Sequence, residues 1–187
     1  MDFMSDALTN GRRTRVLNII DEYSREALTV HPDYSIPAVS VINQLEILEQ
    51  HRDLPDSFRL DNGPEFTCLE FTEWCRSKNI KINYIQPGRP MQNAYIERFN
   101  KTYREDILDA YLFENLEQLR ILSDEWMKTY NNEIPHGSLH DLTPNEYAAK
   151  AVNSGKPATF KTQAGFTTMN CHNSSNNSRK KSKLALS

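Results

Sequence analysis

The sequence predicts an α/β domain with a mixed sheet of five strands covered by helices. Three observations carry this. Short apolar runs of strand length come first, helical spacing then alternates with two further short strands, and two long helical segments close the order β-β-β-α-β-α-β-α-α. At 187 residues and 38% apolar content, the chain can bury one ordinary core.

Val16-Leu17-Asn18-Ile19-Ile20 reads as a buried strand that breaks at Asp21-Glu22, and Ala27-Leu28-Thr29-Val30 follows closely enough to be its hairpin partner. Met1 to Leu8 pairs with the first of these in a three-stranded meander. From about Ser35 to Gln50 the period is helical through Val39, Ile42, Leu45, Ile47 and Leu48, with Pro37 in the first turn. Ser57-Phe58-Arg59-Leu60 is a brief strand, and Asn62-Gly63-Pro64 turns the chain. Phe66 to Ser77 reads as one amphipathic helix with Phe66, Leu69, Trp74 and Cys75 on its apolar face. Ile80 to Ile85 alternates as a strand, and Gln86 to Gln92, with two prolines and a glycine, is a loop. Helices follow over about Asn93–Tyr111 and Leu116–Tyr130. Thr143 caps a short last helix with Pro144 in its first turn.

The net charge of -3 conceals a division. Residues 147–187 hold seven Lys or Arg and no acid, which leaves the first 146 residues at -10. Within that acidic body, residues 76–104 carry Arg76, Lys78, Lys81, Arg89, Arg98, Lys101 and Arg104 against Glu97 alone. Local fields steer phosphates more than the global sum does. Cys68, Cys75 and Cys171 show no short pairing pattern, so reduced thiols in a cytoplasmic protein are expected, with Cys68 and Cys75 packing on one helix face. No apolar run has membrane-spanning length and no signal-peptide pattern opens the chain.

Three acids carry the chemistry. Asp61 stands at the carboxyl end of the fourth strand, Glu97 follows after thirty-five intervening residues in the first turns of a helix, and Asp2 lies on the first strand. Hard carboxylate oxygens suit Mg²⁺ or Mn²⁺, and a pair of such ions roughly 3.5–4 Å apart supports in-line phosphoryl transfer without a covalent nucleophile. Carboxylates gathered without metal repel, and at least one pKa rises. Lys101 and Arg104, four and seven residues after Glu97, share its helix face and extend the site along a DNA backbone.

Asp61-Asn62-Gly63-Pro64-Glu65-Phe66, the stretch Pro87-Gly88-Arg89-Pro90-Met91-Gln92-Asn93-Ala94-Tyr95-Ile96-Glu97-Arg98-Phe99-Asn100, and Tyr130-Asn131 with Pro135-His136 and Thr143-Pro144 resemble the catalytic core of two-reading-frame insertion-sequence transposases, relatives of retroviral integrases. Met1-Asp2-Phe3-Met4 and Val16 through Arg25 match the start of that core. The resemblance implies an RNase H-like fold, an Asp2-Asp61-Glu97 triad holding two Mg²⁺ or Mn²⁺ ions, and metal-dependent DNA cleavage and strand transfer on transposon ends and target DNA. It implies DNA contacts at Asn62, Gln92, Asn93, Lys101 and Arg104, a homo-oligomer on DNA, no membrane and no small-molecule cofactor.

With Met1 directly before Asp2, the expectation is an N-terminally truncated catalytic core over residues 1–150, lacking the family's upstream helix-turn-helix segments. A basic, largely disordered tail over 151–187 follows. Ile134 stands where the family has Arg before the Pro-His pair. A rival reading is a catalytically silent fragment that binds DNA or a full-length transposase; a ribonuclease H-type hydrolase is more distant. Glu65, Asp21, His136 and His140 are expected in turns, caps or packing, and Trp74, Trp126 and Tyr130 in the core. No zinc-spaced His-Cys set is present.

Overall fold

A computed structural model describes residues 1–86 and 93–153, with side chains through residue 150. Strands β1 (Asp2–Ala7), β2 (Arg13–Ile20) and β3 (Ala27–Asp33) form the expected antiparallel meander in that order. Gly11, at φ +79°, closes the first hairpin in a conformation that a side chain would strain. β3 runs three residues past the expected end, and a bulge at Ile19/Ile20 shifts its register on β2. Strands β4 (Ser57–Leu60) and β5 (Lys81–Tyr84) pair in parallel as a second ladder. The two ladders meet where the Met1 ammonium donates to the Arg59 carbonyl at 3.0 Å.

Side-chain alternation along β2 sorts two cores. Leu17 and Ile19 pack with helices α1 (Ala38–Glu49), α2 (Pro64–Thr67) and α3 (Leu69–Ser77). Val16 and Ile20 pack with α4 (Ala94–Tyr103) and α5 (Leu116–Asn132). A strand buried on both faces reads as a continuous apolar run, as this one does. The second core is aromatic: Phe99, Tyr103, Trp126 and Tyr130 stack edge-on or tilted at centroid distances of 5.0–5.4 Å. Asn131 fastens α5 to β3 by exchanging hydrogen bonds with both backbone groups of Ala27, at 2.8 and 2.9 Å.

Several expectations change in detail. Val39 and Ile47 face outward on α1 at 46% and 48% exposure, and Ala38 and Val41 join Ile42 and Leu45 inside. The helix expected over Phe66–Ser77 is two, because Cys68 is extended at φ -66°, ψ 156°. The break rotates the second piece, so Phe71 is buried and Leu69 is 71% exposed. Cys75 packs in the first core, where burial pushes its thiol up to about 12. The long helix after Asn93 is α-helical only to Tyr103; residues Arg104–Leu108 form a π-helical turn. Helix α6 (Pro144–Asn153) starts as expected, with Thr143 and Glu146 capping each other's backbone amides. Among the described residues no helix is long and apolar enough to cross a membrane. Gln92, Arg89, Cys171 and the expected tail beyond residue 153 lie outside the described residues.

Candidate active site

Asp2 opens β1 on the same strand face as Met4, the face that packs on α4. Its two carboxylate oxygens are both engaged: Phe3 donates its amide to Oδ1 at 2.8 Å, and Asn100 of α4 donates Nδ2 to Oδ2 at 2.7 Å. Burial raises the Asp2 carboxyl above the ordinary aspartate value, and the charge of Asp61 adds to the rise. Asp61 stands immediately after β4, and its Oδ1 accepts the Gly63 amide at 3.0 Å. A Cβ at residue 63 would lie 3.0 Å from that same oxygen, so glycine is what lets the turn close over the carboxylate.

Glu97 lies in the first turn of α4 and is exposed. Asn100, one turn further along the same face, is the link between that helix and Asp2. An ionised carboxylate only accepts hydrogen bonds, so Asn100 must turn its amide nitrogen to Asp2 and its oxygen away. That oxygen accepts from Asn18 Nδ2 at 2.8 Å, and Asn18, fully buried in the middle of β2, is the register partner of Asp2. The chain Asn18–Asn100–Asp2 therefore sets how α4, and with it Glu97, sits against the first acid.

Asp61 lies close enough to Asp2 for its charge to act on that carboxyl, and Glu97 stands one helical turn from Asn100, the residue that tethers Asp2. Among the described residues, no three acids, histidines or cysteines close on one ion position. The donor chemistry fits a hard divalent cation all the same. The Asp61 charge helps to raise the Asp2 carboxyl, and a cation between the two would offset that repulsion. Glu65 and Asp21 are committed elsewhere, the first to Arg15 and the second to Ser24 and the Tyr23 amide.

Of the expected DNA contacts, Asn62 is exposed and donates to the Ile85 carbonyl at 3.2 Å, and Asn93 is buried at the start of α4. Lys101 is 75% exposed and only loosely paired with Glu105 at 3.6 Å. Arg104 begins the π-helical turn and donates to the Ser5 carbonyl at 3.0 Å, so it is tethered to β1. Arg76 and Lys78 are paired with Glu73 and Glu49 on α3 and α1. Among the described residues, Arg98 and Lys101 line one groove with Glu97, joined from another part of the chain by Arg25, whose guanidinium stacks 3.4 Å over the Tyr95 ring. Sequence reasoning did not single out Asn18, Asn100 or Arg25. Asn18 did leave a trace, a lone amide inside a five-residue apolar run.

Comparison with known proteins agrees with this architecture. The integrase core domain family matches residues 1–90, and a second family of the same description matches residues 78–144. An uncharacterized 31.7 kDa protein of insertion element IS407 from Burkholderia multivorans is 37% identical over 86% of this chain and 58% of its own length. A protein of insertion element IS476 from Xanthomonas euvesicatoria is 38% identical over 80% of this chain and 43% of its own. The chain thus spans about half the length of the curated relatives it matches. InsK, assigned as a transposase of insertion sequence IS150 in Escherichia coli K12, is 23% identical over 77% of this chain. The HTLV-2 integrase catalytic core domain, solved in complex with magnesium, superposes with a TM-score of 0.61 at 19% identity, covering 78% of this chain and 91% of that one. The BIV integrase catalytic core gives 0.59 at 19% identity, covering 82% and 95%. These likenesses establish an RNase H-like fold, and the two matches that together span residues 1–144 place this chain in the integrase core domain family.

Proposed function

We propose that residues 1–150 are the catalytic core of a DDE transposase acting in the bacterial cytoplasm. Its reaction is metal-dependent cleavage of DNA strands and their transfer to a target. The observation that carries this is the Asp2–Asp61 pair, with Asn100 tying the Glu97 helix to the first acid. Asp2 and Asp61 would share a Mg²⁺ or Mn²⁺ ion and Glu97 would complete a second position. Such a pair, when bound, activates an attacking oxygen and stabilises a leaving one. Asn100 holds one oxygen of Asp2, which leaves the orientation of that carboxylate set before any ion arrives. The Gly63 amide does the same for Asp61. Arg98 and Lys101 supply charge along the helix for a DNA backbone, and Asn62, Gln92 and Asn93 are proposed neighbours of the bound strand. The magnesium-bound HTLV-2 core supports the metal class, and its trimeric and dimeric forms support assembly of several copies.

A strand-transfer assay on terminal inverted-repeat oligonucleotides with Mn²⁺ tests this. Asp61→Asn and Glu97→Gln should each lower product by more than about 10²-fold, beyond the effect of losing a mere supporting partner of a metal ligand. Equal product from wild type and Asp61→Asn would leave only a silent DNA-binding fragment.

A further inference from the structure

Between α4 and the loop over residues 134–138 lies an open groove of about 830 Å³. Arg25, Arg98 and Lys101 line it, with Tyr95, His136 and Glu97. Two of its lining residues each keep a side-chain nitrogen, Arg25 Nη1 and His136 Nε2, buried without a hydrogen-bond partner among the described residues. Buried polar atoms left unsatisfied are costly and call for an explanation at the site where they occur. Among the described residues no ion pair or hydrogen bond is made by the side chain of Arg98, whose carbonyl accepts from Thr102, or by that of Glu97, the acid on the same wall. Arg25 also holds a positive φ of 62°, unusual for a residue with a long side chain, in a turn closed by its amide on the Asp21 carbonyl. A strained backbone, a buried unpaired guanidinium nitrogen and a second free arginine in one groove form a cradle for an anion.

We propose that this groove holds a backbone phosphate of the DNA strand passing Glu97, gripped by Arg25 and Arg98, with the His136 ring as the wall opposite α4. Tyr95 fixes the Arg25 guanidinium plane by stacking, which leaves the edge of that plane for phosphate oxygens. Lys101, one turn from Arg98, continues the charge along the helix, a spacing suited to a repeating phosphate chain and not to a single carboxylate. The inference rests on the reading of this chain as a DNA-processing core, and it adds a grip supplied from the β2–β3 turn.

The test is the binding of a short fluorescent DNA duplex to the full chain across a KCl series in metal-free buffer. Arg98→Gln and Arg25→Gln should each weaken binding by about three-fold or more at low salt and flatten the slope of log Kd against log salt by about one. Arg98 is exposed, so Arg98→Gln decides the matter if Arg25→Gln fails to fold. Unchanged slopes in the folded variants would overturn the proposal, as would polyglutamate binding as tightly as DNA with the same arginine dependence. Asp61→Asn serves as the separate arm: it should bind DNA like wild type and lose Mn²⁺-dependent product. If Asp61→Asn kept its product while the arginine variants lost affinity, the groove would stand and the catalytic reading would fall.

Discussion

The two faces of α4 do different work. Ile96, Phe99 and Tyr103 point inward and are buried against Trp126 and Tyr130, and Glu97, Arg98 and Lys101 point outward and are exposed. The inner face positions the helix by area and aromatic geometry, with Tyr103 sharing a 2.7 Å hydrogen bond with Ser123 in the interior. The outer face spends almost none of its side chains on packing, which leaves Glu97 and Arg98 open to ligands and Lys101 only loosely paired with Glu105. Asn100, half-buried at the boundary, couples them by tying the helix to Asp2. Placement and chemistry are therefore separable by substitution, and that separation can be broken experimentally.

The largest effect should come from the inner face. Phe99→Ala removes a fully packed ring between Trp126 and Tyr130 and should cost about 3–5 kcal/mol in urea denaturation. A cost under about 1 kcal/mol would mean that the aromatic cluster does not set the helix. At the boundary, Asn100→Ala strips Asp2 of a donor and leaves the buried Asn18 amide with only the weakly accepting Met4 sulfur. About 1–3 kcal/mol of stability should go with it, together with about 10–100-fold in metal affinity or metal-dependent product. Unchanged metal titrations in a folded Asn100→Ala would place the support of Asp2 elsewhere.

The smallest effect concerns pH. Burial holds His136 below the free-imidazole value of 6.5, with Arg98 and Arg25 adding to the depression, and burial does the same for His31 despite Asp33 beside it. A histidine kept neutral by the fold contributes stability that is present above its unfolded value. That stability is lost as pH falls through about 6.5 and below, because the unfolded chain takes up the proton first. Thermal midpoints measured from neutral to mildly acidic pH should fall less steeply in His136→Asn than in wild type. Parallel curves would show that His136 is not enclosed by the groove as described.

Much of the fold was legible in order and period. The three-stranded meander, both short parallel strands, the cap at Thr143 and the aromatic helices follow from patterns that repeat every two or every 3.6 residues. Where the local rule failed, a tertiary preference decided. Leu69 fits an apolar helix stripe, yet the extended Cys68 turned it outward and put Phe71 in its place. Arg104 fits the Glu97 face by spacing, yet the π-helical turn gave its guanidinium to Ser5.

The candidate site divides in the same way. The sequence by itself determined that Asp61 ends a strand and that Glu97 opens a helix, because both sit in long motifs whose turn and helix signals are local. It also determined that the first acid opens a strand. Only the tertiary structure decided how they are related: Asp2 beside Asp61, Asn18 reaching across 82 residues to Asn100, and Arg25 laid on Tyr95 at the groove. Contacts between residues so far apart in the chain leave no periodic trace, since they depend on which faces of separate elements pack together.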